Sequence, residues 1–409
     1  MFFLYQIFVQ LLIFGMKVFS LFNDKTKKGI EGRKQSSAIV HSAFSASDQI
    51  IWMHAASLGE YEQGLPVLEK LKAKYPTYKI LVTFFSPSGY DNVLKKKTIA
   101  DAICYLPFDT KSEISSFLEG LNIQLFFTVK YDYWYLLLQE LKKRKAKTFV
   151  ISALFYEKQS FFRTYGKWFV KQLKANIDWF FHQTPHSFAL AKSIGLEKSS
   201  ITGDTRFDRV KDLKARDNKV PFMEVFIADK KSIVLGSSWQ SEEKIAKLIE
   251  EKNSSVKIII APHDLKRVSV LKELFPNAIL YSEIEKNQNL DAQILIIDCI
   301  GLLSKLYSYA DIAIVGGGFH TSGLHNILEA ATFGKPVLFG NQYKKNPEAD
   351  DLISAKGGQS FENETLAAQF AISLLHNEEK LHTMSRNAEK FVFEKPNASN
   401  LIVKKVELF

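Results

Sequence analysis

Short apolar runs alternate with helical patterns along almost the whole chain. Ile50–His54, Ile80–Phe84, Ile103–Leu106, Leu125–Val129, Thr148–Ser152, Trp179–His182 and Ser200–Thr202 each have the length of a strand. Most of the segments between them carry helical spacing, as in Leu65, Leu68 and Leu71. The pattern then restarts with Ile233–Gly236, Lys257–Ala261, Ala278–Tyr281, Ile294–Ile297, Asp311–Val315 and Val337–Phe339. Strands joined through helices pair in parallel, so the fold class is α/β with helices on both faces of each sheet. At 409 residues the chain exceeds one ordinary core. Two Rossmann-like domains facing across a cleft are expected, with the polar stretch VKDLKARDNKV as linker. The expected boundaries are an apolar segment over 1–24, an N-terminal domain over 25–212 and a C-terminal domain over 213–409. The helical tail from about Leu366 to Phe393 is a candidate to pack back on the first domain.

The N-terminus departs from this alternation. MFFLYQIFVQLLIFGMKVFSLF carries no charge before Lys17. As a helix it would cover roughly 33 Å, close to the bilayer core. Lys25, Lys27, Lys28, Arg33 and Lys34 follow it, and apolar-then-basic order places the remainder on the cytoplasmic side. A cleaved signal peptide is disfavoured, because there is no basic leading region and no small-residue cleavage site. Gln6 and Gln10 leave a span, an interfacial anchor and a core helix all open. The net charge of +10 suits nucleic acid, anionic lipid or phosphorylated substrates. No zinc-finger or RNP-type motif accompanies it, so nucleic acid is not an expected partner. Cys104 and Cys299 lie far apart and outside any CxxC pattern, so neither a zinc site nor a disulfide framework is expected.

Two strand-to-helix turns could carry chemistry. In Asp311–Gly340 a strand stops at Gly316, Gly317 and Gly318. A helix is expected from about Gly323, ended by Gly334–Lys335–Pro336. A glycine loop feeding a helix N-terminus is an anion site. His325 and Glu329, four apart, would share one helix face. A carboxylate there suits ribose hydroxyls better than phosphate, which suggests a nucleotide held by sugar and phosphate together. Close packing is the other reading of the glycines. In the first half, strand Ile50–His54 ends in Ala55–Ala56–Ser57–Leu58–Gly59 and a helix starts near Glu60. Open parallel sheets bind ligands at such ends. Glu60 could be a general base or simply an acid favoured by the helix dipole, and Glu62 has the same ambiguity.

HAASLGEYEQ, VTFFSPSGYD, GDTRFDRV and ADIAIVGGGFHTSGLHNILEAATFGKPVLFG, in that order, resemble the 3-deoxy-D-manno-octulosonic acid (Kdo) transferase family of lipopolysaccharide synthesis. The resemblance runs over nearly the whole chain. It implies a GT-B glycosyltransferase with CMP-Kdo as donor and a phosphorylated lipid A precursor of the tetraacyl, lipid IVA type as acceptor. It further implies inversion without a metal or cofactor, at an anionic membrane surface on the cytoplasmic face of the bacterial inner membrane. By motif position, Glu60 would be the catalytic base. His325, Asn326 and Glu329 would bind the donor, with Glu329 on the ribose and Gly316–Gly318 beside the phosphate or sugar. Asn346 and Glu348 in KKNPEAD match a further donor motif.

The chain also departs from the family pattern. The usual Glu-Thr-Glu-Leu-Trp appears as Lys130–Tyr131–Asp132–Tyr133–Trp134, and Pro-Arg-His as Pro262–His263–Asp264. His263 or Arg267 would then stand in for the missing arginine. Gly318 replaces a serine, and Arg206 replaces a lysine. Ser57, Gly59, Lys130, Asp132 and Arg206 are candidate acceptor or phosphate contacts, and Phe161–Phe162–Arg163 with Lys167 a candidate lipid-facing patch. The alternatives are another GT-B enzyme, such as a nucleotide-sugar epimerase, and a membrane-bound binding protein without catalysis.

Overall fold

The computed structural model describes every residue except 96, 286–289, 322, 345 and 408–409. The chain forms two compact units, one of Met1–Arg209 with Pro396–Phe409 and one of Val210–Lys395. Each is built on its own seven-stranded parallel sheet.

In the first unit the helices that matter below are α1 (Phe2–Phe19), α2 (Asp24–Ala43), α3 (Leu58–Lys74), α4 (Pro87–Leu94), α5 (Lys111–Phe117), α6 (Tyr135–Lys143) and α7 (Lys167–Asn176). Its strands are β1 (Gln49–Ala55), β2 (Lys79–Phe84), β3 (Ala102–Tyr105), β4 (Asn122–Val129), β5 (Lys147–Ala153), β6 (Trp179–His182) and β7 (Ser199–Ile201), in spatial order β3-β2-β1-β4-β5-β6-β7. Ile50, Ile51, Trp52 and Met53 are all fully buried, as expected for a strand covered on both faces. The chain winds one way from β1 to β3, then restarts on the other side of β1 with β4. That reversal opens a crevice beyond the carboxyl ends of β1 and β4, where this kind of sheet binds ligands.

The second unit repeats the plan with β8 (Ser232–Ser238), β9 (Lys257–Pro262), β10 (Ile279–Leu280), β11 (Ile294–Ile296), β12 (Ile312–Val315), β13 (Val337–Gly340) and β14 (Gly358–Phe361), in spatial order β10-β11-β9-β8-β12-β13-β14. Its reversal lies between β8 and β12, so the glycine loop after β12 opens at the equivalent place.

Several elements differ from the sequence-based expectation. The basic run after the apolar segment is the helix α2, laid on β3. Gly32 lets it approach so closely that a Cβ there would sit 2.3 Å from the Tyr105 ring. Arg33, a member of that run, is buried. Its guanidinium donates to the carbonyls of Gly29 (2.8 Å) and Phe85 (2.6 Å) and lies over the rings of Phe85 and Phe108. The expected linker is largely the helix Thr205–Ala215. β14 went unpredicted because Gly358–Gln359–Ser360–Phe361 is an edge strand with no apolar run. The helices Glu364–Leu375 and Glu378–Phe393 stay with the second unit, and the return to the first begins only at Pro396. There the helix Ala398–Val406 seats Ile402, Val403 and Val406 in the same core as Leu65, Leu68 and Leu71.

Candidate functional site

At the β1/β4 crevice the local sequence builds a buried acid. Ser57 has extended backbone and caps α3, accepting weakly from the Glu60 N–H at 3.5 Å. Glu60 reaches back, and its Oε2 accepts the Ala56 N–H at 2.6 Å. One oxygen of Glu60 thus serves the helix start, as the helix-dipole reading expects. Its Oε1 accepts no hydrogen bond among the described residues. The side chain is only 8% exposed. Burial pushes its pKa above the ordinary carboxylate value and the Asp132 charge adds to this, against the Ala56 bond, Lys130 and His54.

The loop after β4 supplies those neighbours. Asp132 Oδ2 lies 2.6 Å from His54 Nε2. His54 Nδ1 lies 2.9 Å from Thr83 Oγ1, which also accepts the Trp52 indole N–H at 2.8 Å. With the indole donating to it, the threonine hydroxyl is free to donate to Nδ1, which leaves the proton on Nε2 facing Asp132. Lys130 sits in the left-handed region, φ 62°. It is held there by its N–H on the Ile151 carbonyl and by the Tyr133 hydroxyl on its own carbonyl, both at 3.0 Å. Gly59 is exposed, with open space where a Cβ would point. Arg206 is turned to its neighbour Asp204, with Nε and Nη2 within 2.8 Å of Oδ2. Burial alone would raise the Asp204 carboxyl, but Arg206 and the Gln63 amide outweigh it and hold it below its usual value.

In the second unit the structure brings four rings together at the β8/β12 reversal. Trp239 stacks on His263 at 4.5 Å and meets His320 edge-on at 4.7 Å, and His263 lies 4.6 Å from His325. The Trp239 indole N–H points at His325 Nε2, 3.4 Å away. Burial, then the proximity of His263 and His320, presses the His325 pKa down to about 4. His325 does not share a helix face with Glu329, contrary to expectation. Residues 323–326 are irregular and the helix is only Leu328–Ala331. Its start is delayed by Gly323 at φ +98°, by the His325 N–H bond to the Gly316 carbonyl, and by Asn326, whose side chain accepts the Leu328 N–H. Asn326 Nδ2 still donates to Glu329 Oε1 at 3.0 Å, so those two side chains are in contact.

The glycines are dictated by packing as well as by any ligand. A Cβ on Gly316 would lie 2.0 Å from the Ser237 carbonyl, and one on Gly318 would lie 2.7 Å from the Gly340 nitrogen. Gly317 has φ +90°. Behind this loop Glu242 is fully buried and pushed up to about 7 by desolvation, although it accepts the backbone N–H of Trp239. Asn346 and Glu348 pair at 3.3 Å at the start of the helix Pro347–Ser354. A cavity of about 930 Å³ opens beyond β8, β9 and β11, lined by Trp239, His263, Arg267, Cys299, Ile300 and His320 among others. His263 is the one expected donor residue on its wall. Arg267 reaches that wall but is held by both oxygens of the buried Glu243.

Residues 29–209 match the family model described as 3-deoxy-D-manno-octulosonic-acid transferase (kdotransferase). Curated 3-deoxy-D-manno-octulosonic acid transferases align over most of the chain. That of Aquifex aeolicus is 25% identical, covering 83% of this chain and 90% of that protein. That of Haemophilus influenzae is 26% identical, covering 83% and 82%. The chain is thus similar to Kdo transferases over most of its length, and its residues 29–209 match that family's model. It is also 27% identical to a bifunctional glycosyltransferase/methyltransferase of Fusobacterium nucleatum, of which it spans about half the length, 51%. The solved UDP-GlcNAc 2-epimerase from Neisseria meningitidis has a TM-score of 0.62 at 18% identity, covering 88% of this chain and all of that one. At that identity the likeness concerns the fold, and it is the GT-B arrangement of two doubly wound sheets.

Set against the family pattern, the lysine of Lys130–Trp134 adds a cation beside the acid, and the shorter Asp132 still engages His54. Sequence reasoning missed His54, Trp239, His320 and Glu242 as members of these clusters. His54 was visible as a polar residue closing an apolar strand. Trp239 was visible in a second strand-to-helix turn, Ser237–Ser238–Trp239–Gln240, at the reversal of the second sheet.

Proposed function

We propose that this protein is a Kdo transferase, moving Kdo from CMP-Kdo to a lipid A precursor of the lipid IVA type, with inversion and without a metal. The observation that carries the reading is Glu60: a buried carboxylate at the β1/β4 reversal, one oxygen fixed by Ala56 and the other unbonded, ringed by His54, Lys130 and Asp132. Glu60 Oε1 takes the acceptor hydroxyl proton as that oxygen attacks the anomeric carbon of Kdo. The bond from that carbon to the CMP phosphate oxygen breaks, and its electron pair leaves with CMP. A base and a leaving group on opposite faces give inversion. His325, Asn326, Glu329 and the Gly316–Gly318 loop are the proposed donor residues, with Asn346 and Glu348 behind them. Lys130 is the proposed acceptor-phosphate contact.

Membrane attachment belongs to the same proposal. Helix α1 exposes Phe3 (70%), Leu11 (64%) and Phe14 (66%), yet buries Val9 and Ile13 against the first unit. A helix docked along one side cannot be ringed by lipid. This favours α1 lying in the cytoplasmic interface of the inner membrane over crossing it.

The test is transfer from CMP-Kdo to tetraacyl lipid A precursor, with product read by mass and wild type compared with Glu60→Gln. Product from wild type, reduced about a hundred- to ten-thousand-fold in the variant with donor binding intact, is expected. Equal product from both would remove Glu60 from its role. Donor binding with no product from either would favour the binding-protein reading. The product mass counts the Kdo units added.

A further inference from the structure

A second cavity, of about 590 Å³, lies in the first unit between α7 and the turn that precedes it. Phe161 and Phe162 line it with Arg163, Lys167, Lys171 and Lys174. The three lysines are spaced four and three apart, so they stand on one face of α7. All four cations are exposed, and among the described residues none is in an ion pair. The apolar wall is built rather than incidental. Phe161 packs on Tyr133, Phe155 and Phe169 at 5.7–5.9 Å between ring centres. Gly166 closes the turn so tightly that a Cβ would sit 2.0 Å from the Ser160 carbonyl. That turn fixes where Arg163 projects.

The next residues of α7 say what covers this groove. Trp168 and Phe169 lie 6.5 and 6.2 Å from Tyr5 of α1. Helix α7 thus packs, through these two rings, on the helix that exposes Phe3, Leu11 and Phe14. If α1 lies in the interface, α7 stands at headgroup level beside it. We propose that the α7 groove binds the phosphate of an anionic membrane phospholipid and so sets how the first unit sits on the bilayer. This inference rests on the interfacial reading of α1. Each cation near an anionic surface strengthens binding about fivefold, and the effect is screened by salt.

The test is binding of the full chain to vesicles of phosphatidylcholine, alone and with phosphatidylglycerol added, across a salt series. Wild type is expected to bind the neutral vesicles through α1 and the anionic ones more tightly. The triple variant Lys167→Gln/Lys171→Gln/Lys174→Gln should lose roughly a hundredfold of that anionic gain and keep neutral binding, since three cations each count about fivefold. A control triple of exposed lysines in the second unit, Lys244→Gln/Lys252→Gln/Lys390→Gln, should keep the gain. Equal loss in both triples would mean net charge alone acts, and would overturn the groove. So would a variant that binds anionic vesicles normally but shows a raised KM for lipid acceptor in neutral detergent, because the groove would then hold the acceptor phosphate. Failure on neutral vesicles with the anionic gain intact would sink the reading of α1 and, with it, the orienting role of the groove, leaving only its phosphate site.

Discussion

Glu60 can act as a base only when ionised, and its surroundings make that harder. Burial and Asp132 raise its pKa, while Lys130 and His54 oppose them. The sign follows directly. The acid limb of kcat/KM should inflect above the ordinary glutamate value of about 4.3, because at that pH the buried carboxyl is still protonated. Its neighbours should move the limb in opposite directions. Asp132→Asn removes a raising charge and should shift the limb down. Lys130→Gly removes a lowering charge and should shift it up. The second substitution also tests the backbone. Lys130 holds φ 62°, a region that costs a side-chain-bearing residue about 1 kcal/mol, so the glycine variant should unfold no more easily than wild type. A pH profile that stays fixed in both variants would take Asp132 and Lys130 out of the acid's environment. Glu60 itself was readable from the loop-to-helix spacing, but its raised pKa was not. That depends on a second loop, from β4, which only the sheet order brings beside the first.

At the scale of elements, the apolar helix is coupled to the loop that carries Asp132. Helix α6 begins directly after that loop, and its N-cap Trp134 offers no side-chain bond. The capping comes from elsewhere. Asp109 accepts the N–H groups of Leu136 and Leu137, each at 2.8 Å, and the Tyr5 hydroxyl accepts that of Tyr135 at 3.1 Å while donating to Asp109. Docking of α1 therefore completes the start of α6. Tyr5→Phe should cost about 1–2 kcal/mol and speed amide exchange at Tyr135–Leu137, because a buried acceptor loses its donor. Unchanged exchange there would mean α1 docks without supporting α6. None of this was visible in the sequence, where the N-terminal segment declared only its apolar length. Strands of β-branched and aromatic residues were plain from composition and period. Elements whose stability comes from a single close contact were not. α2 depends on Gly32 meeting Tyr105 and on the buried Arg33, and the glycine loop after β12 stays irregular to Asn326 because backbone groups of Gly316 and Leu328 are satisfied across it.

Across the whole molecule the chain leaves the first unit after Arg209 and re-enters it at Pro396, so the second unit is continuous and the first is not. The two crossings lie close, since Lys211 Nζ donates to the Lys395 carbonyl at 2.6 Å. The returning helix is held at its N-terminus by Asp208, whose carboxylate accepts the N–H groups of Ala398 (3.1 Å) and Ser399 (2.5 Å). It buries Ile402, Val403 and Val406 at 0%, 8% and 7% exposure. At about 1.5–3 kcal/mol for each such side chain, its removal costs on the order of 5 kcal/mol. A whole domain is stable by only about 5–15 kcal/mol, so that loss is enough to unfold the first unit or leave it marginal. The fragment Val210–Lys395 should therefore fold alone and unfold cooperatively on heating, as followed by circular dichroism. Met1–Arg209 in detergent should not, and fusing Pro396–Phe409 behind Arg209 through a short flexible linker should restore a cooperative transition. Cooperative unfolding of Met1–Arg209 by itself would show that the last helix covers a core already complete. The restored transition should weaken again with Asp208→Ala, which leaves the apolar contacts in place and removes only the groups that fix the start of the helix.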